Sequence, residues 1–123
     1  MIVERRKHPR FSVVRDRVAA ALITNSSLHL VMASRVTDIG YGGLALSHFG
    51  GRLPQHTSLE LDILLSGKTL GIKNLTGESI WDKDTQGQLP ARRCGIQFHN
   101  LTDDQKASLK FLIRNHTTAD AEP

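Results

Sequence analysis

Apolar and polar residues alternate along much of this chain, and the alternation predicts a protein built mainly of β-strands. The segment LELDILL at residues 59–65 is the clearest example, because Leu or Ile occupies every second position, as in a strand with one buried face. Turn-forming residues such as Asn25-Ser26-Ser27 and Ser66-Gly67 interrupt the pattern. The other predicted strands cover residues 13–23, 28–36, 44–46, 69–75, 78–81 and 91–99.

A helix is predicted near the end of the chain. Thr102-Asp-Asp-Gln105 fits a capping box, in which a hydroxyl at the N-cap and a glutamine three residues later each accept a backbone N–H. Leu109, Leu112 and Ile113 follow at the spacing of one buried helix face. Short antiparallel strands, glycine turns and one amphipathic helix predict a small closed β-barrel whose open end the helix covers. The polar residues 117–123 are predicted to be a disordered tail.

Length and composition place the chain among single-domain globular proteins. It has 123 residues, of which 39% are hydrophobic and 23% charged, enough for one core and against global disorder. It has neither an apolar run of the roughly 18 residues that a membrane span needs nor an apolar leader segment. Cys94 is the one cysteine, which excludes an internal disulfide. We therefore expect a cytoplasmic protein without membrane insertion.

The excess positive charge is concentrated at the N-terminus. Residues 1–17 contain six basic and two acidic residues, an excess that equals the formal net charge of +4 of the whole chain. Residues 1–12 are too polar for a core and are predicted to be a flexible arm. The basic residues of this arm are Arg5, Arg6, Lys7 and Arg10. A local cationic cluster suits a small anionic ligand, whereas a protein that follows a nucleic-acid backbone usually spreads its positive charge over a face.

A second candidate segment is the glycine-rich turn Asp38-Ile-Gly-Tyr-Gly-Gly43. Glycines let the backbone approach a ligand closely, and the carboxylate of Asp38 can accept hydrogen bonds from guanine N1–H and N2–H. Arginine guanidinium groups can bind phosphate, or guanine O6 and N7. The arm and the turn together predict a site for an anionic guanine nucleotide. Taken alone, the arm also fits a solvated disordered segment, and Asp38 fits a turn residue that bonds its own backbone.

The order of these segments resembles the PilZ domain family. Arg6-x-x-x-Arg10 and Asp38-x-Gly-x-x-Gly43 are similar to the family's R-x-x-x-R and (D/N)-x-S-x-x-G motifs. The resemblance extends to the later segments Glu78-Ser-Ile-Trp81, Cys94-Gly-Ile-Gln-Phe98 and Leu101-Thr-Asp-Asp104. It implies a six-stranded antiparallel β-barrel with a C-terminal helix, over residues 13–116, and no catalysis. It also implies a receptor for the bacterial second messenger cyclic di-GMP.

The resemblance assigns ligand binding to a small set of residues. Carried over by position, they are Arg5, Arg6, Arg10, Asp38, Gly40 and Gly43. Gly40 stands where the family motif has serine, so a side-chain hydroxyl that would donate to the ligand is missing. Family members with a doubled arginine tend to bind a stacked pair of ligand molecules. Arg5, directly before Arg6, therefore implies up to two molecules of cyclic di-GMP per chain.

Other functions fit the sequence less well. The six histidines show no paired metal-ligand spacing and have no second cysteine to join them, and no catalytic or phosphate-loop motif is present. We therefore expect no enzyme, no metal and no cofactor. Two alternatives stay open: a PilZ-type adaptor that binds protein without the ligand, and a nucleic-acid-binding barrel. The scarcity of aromatic residues counts against the second. An effector protein that reads the signal is expected, without an identity.

Several remaining residues are interpreted as structural. Trp81, Phe98 and Phe111 are predicted to lie in the core. Arg92 and Arg93 could add to the positive field of the site, but a solvated strand end is the preferred interpretation.

Overall fold

Strands make up most of the structure, a computed structural model that describes residues 10–13, 18–25, 30–48, 52–65, 69–85 and 92–120. One helix, α1 (Asp103–His116), is described. The strands within these residues are β1 (Arg10–Val13), β2 (Val18–Asn25), β3 (Leu30–Gly40), β4 (Gly43–His48), β5 (Ser58–Leu65), β6 (Thr69–Asp84), β7 (Arg92–His99) and β8 (Thr117–Asp120).

Six of these strands close a ring. β2 pairs with β5, β5 with β6, β6 with β7, β7 with β4 and β4 with β3, and β3 returns to pair with β2, each time antiparallel. The period-two pattern explains what fills the ring, since Leu59, Leu61 and Ile63 of β5 are all buried. The predicted mainly β fold, a six-stranded antiparallel barrel with a C-terminal helix, is confirmed.

The second half of β3 carries two further strands outside the ring. β1 pairs with β3, and β8 pairs with β1. In the sequence prediction residues 10–12 belong to the arm and residues 117–120 to the tail. Phe11 and Val13 pack against the core. This packing explains why β1 forms at the end of a segment that is otherwise polar. The predicted flexible arm stays a prediction for residues 1–9, which lie outside the described residues.

β6 is a single long strand where the sequence predicts two, at residues 69–75 and 78–81. The strand runs through Gly77, which is paired with Leu59 on one side and Phe98 on the other. A Cβ at Gly77 would lie 2.3 Å from the carbonyl oxygen of Gln97. The glycine between the two predicted strands is therefore a point of close strand approach inside one strand.

The core is apolar and lies inside the ring and under α1. The helix contributes Leu109, Leu112 and Ile113, as predicted. Phe98 is also buried, as predicted, whereas Phe111 is 59% exposed, so its assignment to the core was wrong. Successive helical residues are about 100° apart around the axis, and Phe111 falls on the side away from the buried leucines. Among the described residues, no helix has the length and hydrophobicity that crossing a membrane requires.

The predicted capping box fixes the start of α1 to the sheet. Thr102 Oγ1 accepts the backbone N–H of Gln105 at 3.0 Å, and Gln105 Oε1 accepts the backbone N–H of Thr102 at 3.0 Å. The same glutamine uses Nε2 to donate to the carbonyl oxygens of Lys73 and Asn74 on β6, each at 3.0 Å. One side chain therefore caps the helix and attaches it to the barrel.

The packing at Gly77 predicts that the variant Gly77→Ala is less stable. The added methyl group would force β6 and β7 apart, because it would meet a backbone oxygen at 2.3 Å. Overpacking of this kind costs about 1–3 kcal/mol, measurable as a lower urea midpoint at unchanged slope. Lys73→Ala, an exposed change on the same strand, is the control and should shift the midpoint little. Equal midpoints for Gly77→Ala and the unaltered protein would contradict the prediction.

Candidate functional site

Strand pairing brings the two predicted motifs together. In the ladder between β1 and β3, Arg10 is paired with Gly40 and Ser12 with Asp38. The second arginine of the first motif thus stands beside the glycine that takes the serine position of the second. This pairing joins segments that β2 and most of β3 separate along the chain.

A β-bulge sets the direction of the Asp38 side chain. The register between β3 and β4 skips Thr37, so one extra residue lies in β3 at this point. An extra residue reverses the in–out alternation of the residues that follow. Val36 and Ile39 are consequently both buried, at 1% and 0% exposure, while the Asp38 side chain keeps 19% of its surface exposed. Without the bulge, the alternation from Val36 would turn Asp38 toward the core.

Asp38 lies beside a hydroxyl group and a guanidinium group. Thr37 Oγ1 lies 3.3 Å from Asp38 Oδ1 and 3.2 Å from the carbonyl oxygen of Ala45, and it can donate its one hydrogen to either. Arg93 on β7 donates from Nη2 to Thr37 Oγ1 at 3.0 Å. The same nitrogen lies 3.9 Å from Asp38 Oδ1, too far for a hydrogen bond. The carboxylate therefore lies near a positive charge while its oxygens can still accept hydrogen bonds from a ligand.

Arg92 and Arg93, interpreted from the sequence as a solvated strand end, have separate contacts. Successive side chains of a strand point to opposite faces. Arg92 contacts the buried carboxylate of Asp82, whereas Arg93 reaches across β4 to the bulge of β3. The sequence allowed both arginines a contribution to the positive field of the site, but it did not predict that Arg93 lies beside Asp38. Its charge was the only local signal, because β7 and β3 meet only through their shared neighbour β4.

The glycine-rich turn between β3 and β4 is constrained by β7. The backbone N–H of Phe98 donates to the carbonyl oxygen of Gly42 at 2.8 Å. A Cβ on Gly43 would lie 2.1 Å from the carbonyl oxygen of Ile96. Packing of β4 against β7 is thus sufficient to require glycine at position 43, and its contact with a ligand stays a prediction.

The described chain contains four of the six predicted binding residues. Arg10, Asp38 and Gly40 come together through the β1–β3 ladder, and Gly43 begins β4 across the turn. The assignment of Arg5 and Arg6 stays a prediction, because both lie outside the described residues. Arg93 is a further charged residue beside Asp38, and ligand binding by the predicted residues stays a prediction.

Trp81 lies on the same outer face as Asp38, and its predicted place in the core was wrong. Its indole covers Gly95, where a Cβ would lie 2.4 Å from the indole Nε1. Lys83 Nζ lies 5.2 Å from the centre of the indole ring, within the range of a cation–π contact. The strand registers place Trp81, Gly95, Ala45 and Asp38 in one row across four strands. The Trp81 indole and the Asp38 carboxylate therefore lie at the two ends of a row whose middle residues, Gly95 and Ala45, are small.

A buried hydrogen-bond network lies on the inner side of the same strands. The Asp82 carboxylate has no exposed surface. Its Oδ2 contacts His48 Nε2 at 2.8 Å and accepts the backbone N–H of Leu53 at 3.2 Å. Its Oδ1 accepts from Arg92 Nε. One carboxylate thus joins β4, the segment before β5, β6 and β7.

This network also brings three side chains of metal-binding type close together. Ligand atoms of His48, Asp82 and Cys94 all lie within 4.8 Å of one another. Burial, and then the negative charge of Asp82, raises the pKa of the Cys94 thiol to about 12. The carboxylate is already occupied by N–H groups, and an entering cation would meet the charge of Arg92. The arrangement fits a structural network better than a metal centre.

Two histidines flank Glu78 on the outer surface. His56 Nδ1 lies 2.6 Å from Glu78 Oε2, and His99 Nε2 lies 2.8 Å from Oε1 without the alignment of a hydrogen bond. The hydrogen bond with His56 holds the pKa of Glu78 below its ordinary value of 4.5, although desolvation opposes the shift. Any stability that this carboxylate contributes is present above pH 4.5 and is lost as the pH falls through the lowered pKa.

Comparison with known proteins gives one family. The model of the PilZ domain family matches residues 4–115, a stretch that includes both predicted motifs and every described strand except β8. Among curated proteins, no sequence matches the chain.

Solved structures share the fold. The PilZ domain of YcgR from Escherichia coli, with c-di-GMP, matches with a TM-score of 0.73 at 14% identity over 92% of each chain. The K. pneumonia MrkH–c-di-GMP complex matches with 0.74 at 16% identity over 93% of this chain and 53% of that one. The Bacillus subtilis inhibitor of motility, MotI/DgrA, matches with 0.64 at 21% identity over 91% and 51%. The chain spans about half the length of the last two proteins.

The buried network predicts that Asp82→Asn strongly destabilises the protein. The change removes the buried negative charge of Asp82 that contacts Arg92, and breaking a buried pair costs about 3–5 kcal/mol. The free energy of unfolding, measured by urea titration, should fall by that amount. Asp84→Asn, an exposed change on the same strand, is the matched control and should cost less than about 1 kcal/mol. Similar losses for the two variants would show that the network contributes no special stability.

Proposed function

The chain belongs to the PilZ domain family, and we propose that it is a receptor for cyclic di-GMP. PilZ domains are generally non-catalytic receptors, and the similar YcgR and MrkH structures were solved with c-di-GMP. The observation that carries the proposal is the β1–β3 ladder, which pairs Arg10 with Gly40 and Ser12 with Asp38. A cation and a carboxylate two positions apart in one ladder suit a ligand that is both anionic and rich in guanine.

The chemistry of the ligand fits the charges on this face. Each guanine presents N1–H and N2–H donors, which the Asp38 carboxylate can accept. Each phosphate can take paired hydrogen bonds from the planar guanidinium group of Arg6 or Arg10. Cyclic di-GMP contains two guanines and two phosphates, so several arginines around one carboxylate match its composition.

We propose that ligand binding is passed to an effector protein in the bacterial cytoplasm. The phosphates of the ligand would neutralise the basic residues of the N-terminal segment, which repel one another without it. A segment whose charge changes on binding presents a different surface to a partner. The proposed function involves neither a nucleic-acid polymer nor membrane insertion.

A second candidate is a PilZ-type adaptor that binds protein without the ligand. Gly40 favours this alternative, because it supplies no hydroxyl donor at the motif's serine position. Loss of one neutral hydrogen bond costs about 0.5–1.5 kcal/mol, which lowers affinity without abolishing it. The receptor therefore remains the preferred proposal.

Calorimetric titration tests the receptor directly. We expect cyclic di-GMP to bind in the micromolar range or tighter, and Arg10→Ala to weaken binding at least about tenfold, because a charge-assisted hydrogen bond contributes about 1.5–3 kcal/mol. Arg6→Ala and Asp38→Ala should also weaken binding. Arg52→Ala, an exposed change beyond the far end of β4, removes the same charge as the arginine variants and serves as their control. Binding that survives unchanged in both Arg6→Ala and Arg10→Ala would refute the site.

The same titration tests stoichiometry. Two molecules of cyclic di-GMP per chain are expected, because Arg5 offers a further cation for the phosphates of a second molecule. Arg5→Leu should move the molar ratio from two toward one while the first binding event persists. A ratio of one for the unaltered protein would remove the role proposed for Arg5 and leave the receptor proposal in place.

A further inference from the structure

We propose that Arg93 recognises guanine together with Asp38, and that this pair decides which cyclic dinucleotide the protein accepts. The inference rests on the proposed function and adds a specificity-determining residue from β7, a strand that carries neither of the two motifs. Thr37, the bulge residue of β3, is the positioning residue of the pair, since it lies between the guanidinium and the carboxylate.

Thr37 positions Arg93 and uses only one of the N–H donors of the guanidinium group. Arg93 Nη2 donates to Thr37 Oγ1 at 3.0 Å, and 45% of the Arg93 side chain is exposed. A guanidinium has five N–H donors in a rigid plane, so the others can serve a ligand. Because Thr37 is the extra residue of the bulge, the element that turns Asp38 outward also provides the acceptor for Arg93.

The distance between the two charged groups suits binding to neighbouring atoms of one base. Nη2 of Arg93 and Oδ1 of Asp38 are 3.9 Å apart, so the two groups lie side by side without a direct hydrogen bond between them. On guanine, the O6 acceptor is adjacent to the N1–H and N2–H donors. The carboxylate can accept the two donors while the guanidinium donates to O6, or to O6 and N7 together.

Adenine reverses this pattern. Its N6 amino group would place donors against the guanidinium, and its N1 lone pair would face the carboxylate. Both contacts would then be repulsive or unsatisfied, and a site gains specificity from such mismatches as much as from its matched bonds. The pair therefore predicts discrimination between cyclic di-GMP and cyclic di-AMP, which carry the same two phosphates.

The sheet supplies a matched control for Arg93. Ser47 on β4 is paired with Arg93 on one side and with Arg35 on the other, so the two arginines stand in one row across three strands. Arg35 is exposed and carries the same charge. Removing it weakens the positive field for both cyclic dinucleotides alike and leaves the contacts to Asp38 intact.

The test is calorimetric titration of the full chain with cyclic di-GMP and cyclic di-AMP. The unaltered protein should prefer cyclic di-GMP, and Arg93→Ala should reduce the ratio of the two affinities by about tenfold, the discrimination expected of one paired base contact. Arg35→Ala should leave the ratio unchanged. Thr37→Val, which removes the acceptor for Arg93, should lower the ratio by less. Arg93→Lys keeps the positive charge but loses the planar set of N–H donors. Its ratio of the two affinities should therefore fall between those of the unaltered protein and the alanine variant.

The outcomes separate the two proposals. If the unaltered protein binds neither nucleotide, the proposed function fails and this inference fails with it. If the unaltered protein binds cyclic di-GMP and Arg93→Ala keeps the full preference, the receptor stands and the role of Arg93 is overturned. An equal loss of both nucleotides in Arg93→Ala would also overturn it, because that result indicates a phosphate contact. Melting temperatures identify a misfolded variant, and Arg93→Lys then decides the question.

Discussion

The pairing of β1 with the second half of β3 is the constraint on which the candidate site depends. It sets Arg10 beside Gly40 and Ser12 beside Asp38, and it provides the edge to which β8 attaches. Phe11 and Val13 hold β1 in this place by packing against the core. The apolar residues of β1 thus place this strand beside Asp38 and Gly40, where it forms one side of the candidate site.

The two faces of the barrel wall carry different features: a buried hydrogen-bond network on the inner face and the candidate site on the outer face. On the inner face of β6 and β7, Asp82 joins His48, Leu53 and Arg92 in one network. Its carboxylate is not exposed to water. On the outer face of the same two strands, Trp81 begins the row that ends at Asp38, and Arg93 Nη2 lies 3.9 Å from Asp38 Oδ1. Because neighbouring residues of a strand point to opposite sides, Arg92 and Arg93 can lie on these two faces although they are adjacent in sequence.

Glycines have two different roles in this fold: some allow close packing, and one lies in the candidate site. At Gly43 and Gly77, a Cβ would lie 2.1 and 2.3 Å from a carbonyl oxygen of the neighbouring strand, and at Gly95 the Trp81 indole covers the backbone. A glycine in a binding motif can therefore be needed for the barrel even where it never touches a ligand. Gly40, at the end of β3 and beside Arg10, is the position where the missing serine hydroxyl bears on recognition.

Features that depend on local chemistry could be predicted from the amino-acid sequence. Period-two alternation predicted the strand at residues 59–65, and the capping box predicted the start of α1. The two motifs predicted the family, the barrel and the candidate residues Arg10, Asp38, Gly40 and Gly43. Features that depend on strand pairing could not be predicted in this way and required the folded structure. The bulge at Thr37 reverses the alternation and turns Asp38 outward, and Arg93 reaches Asp38 across β4. A bulge is defined by the register of a partner strand, and no residue pattern within β3 or β7 alone contains that register.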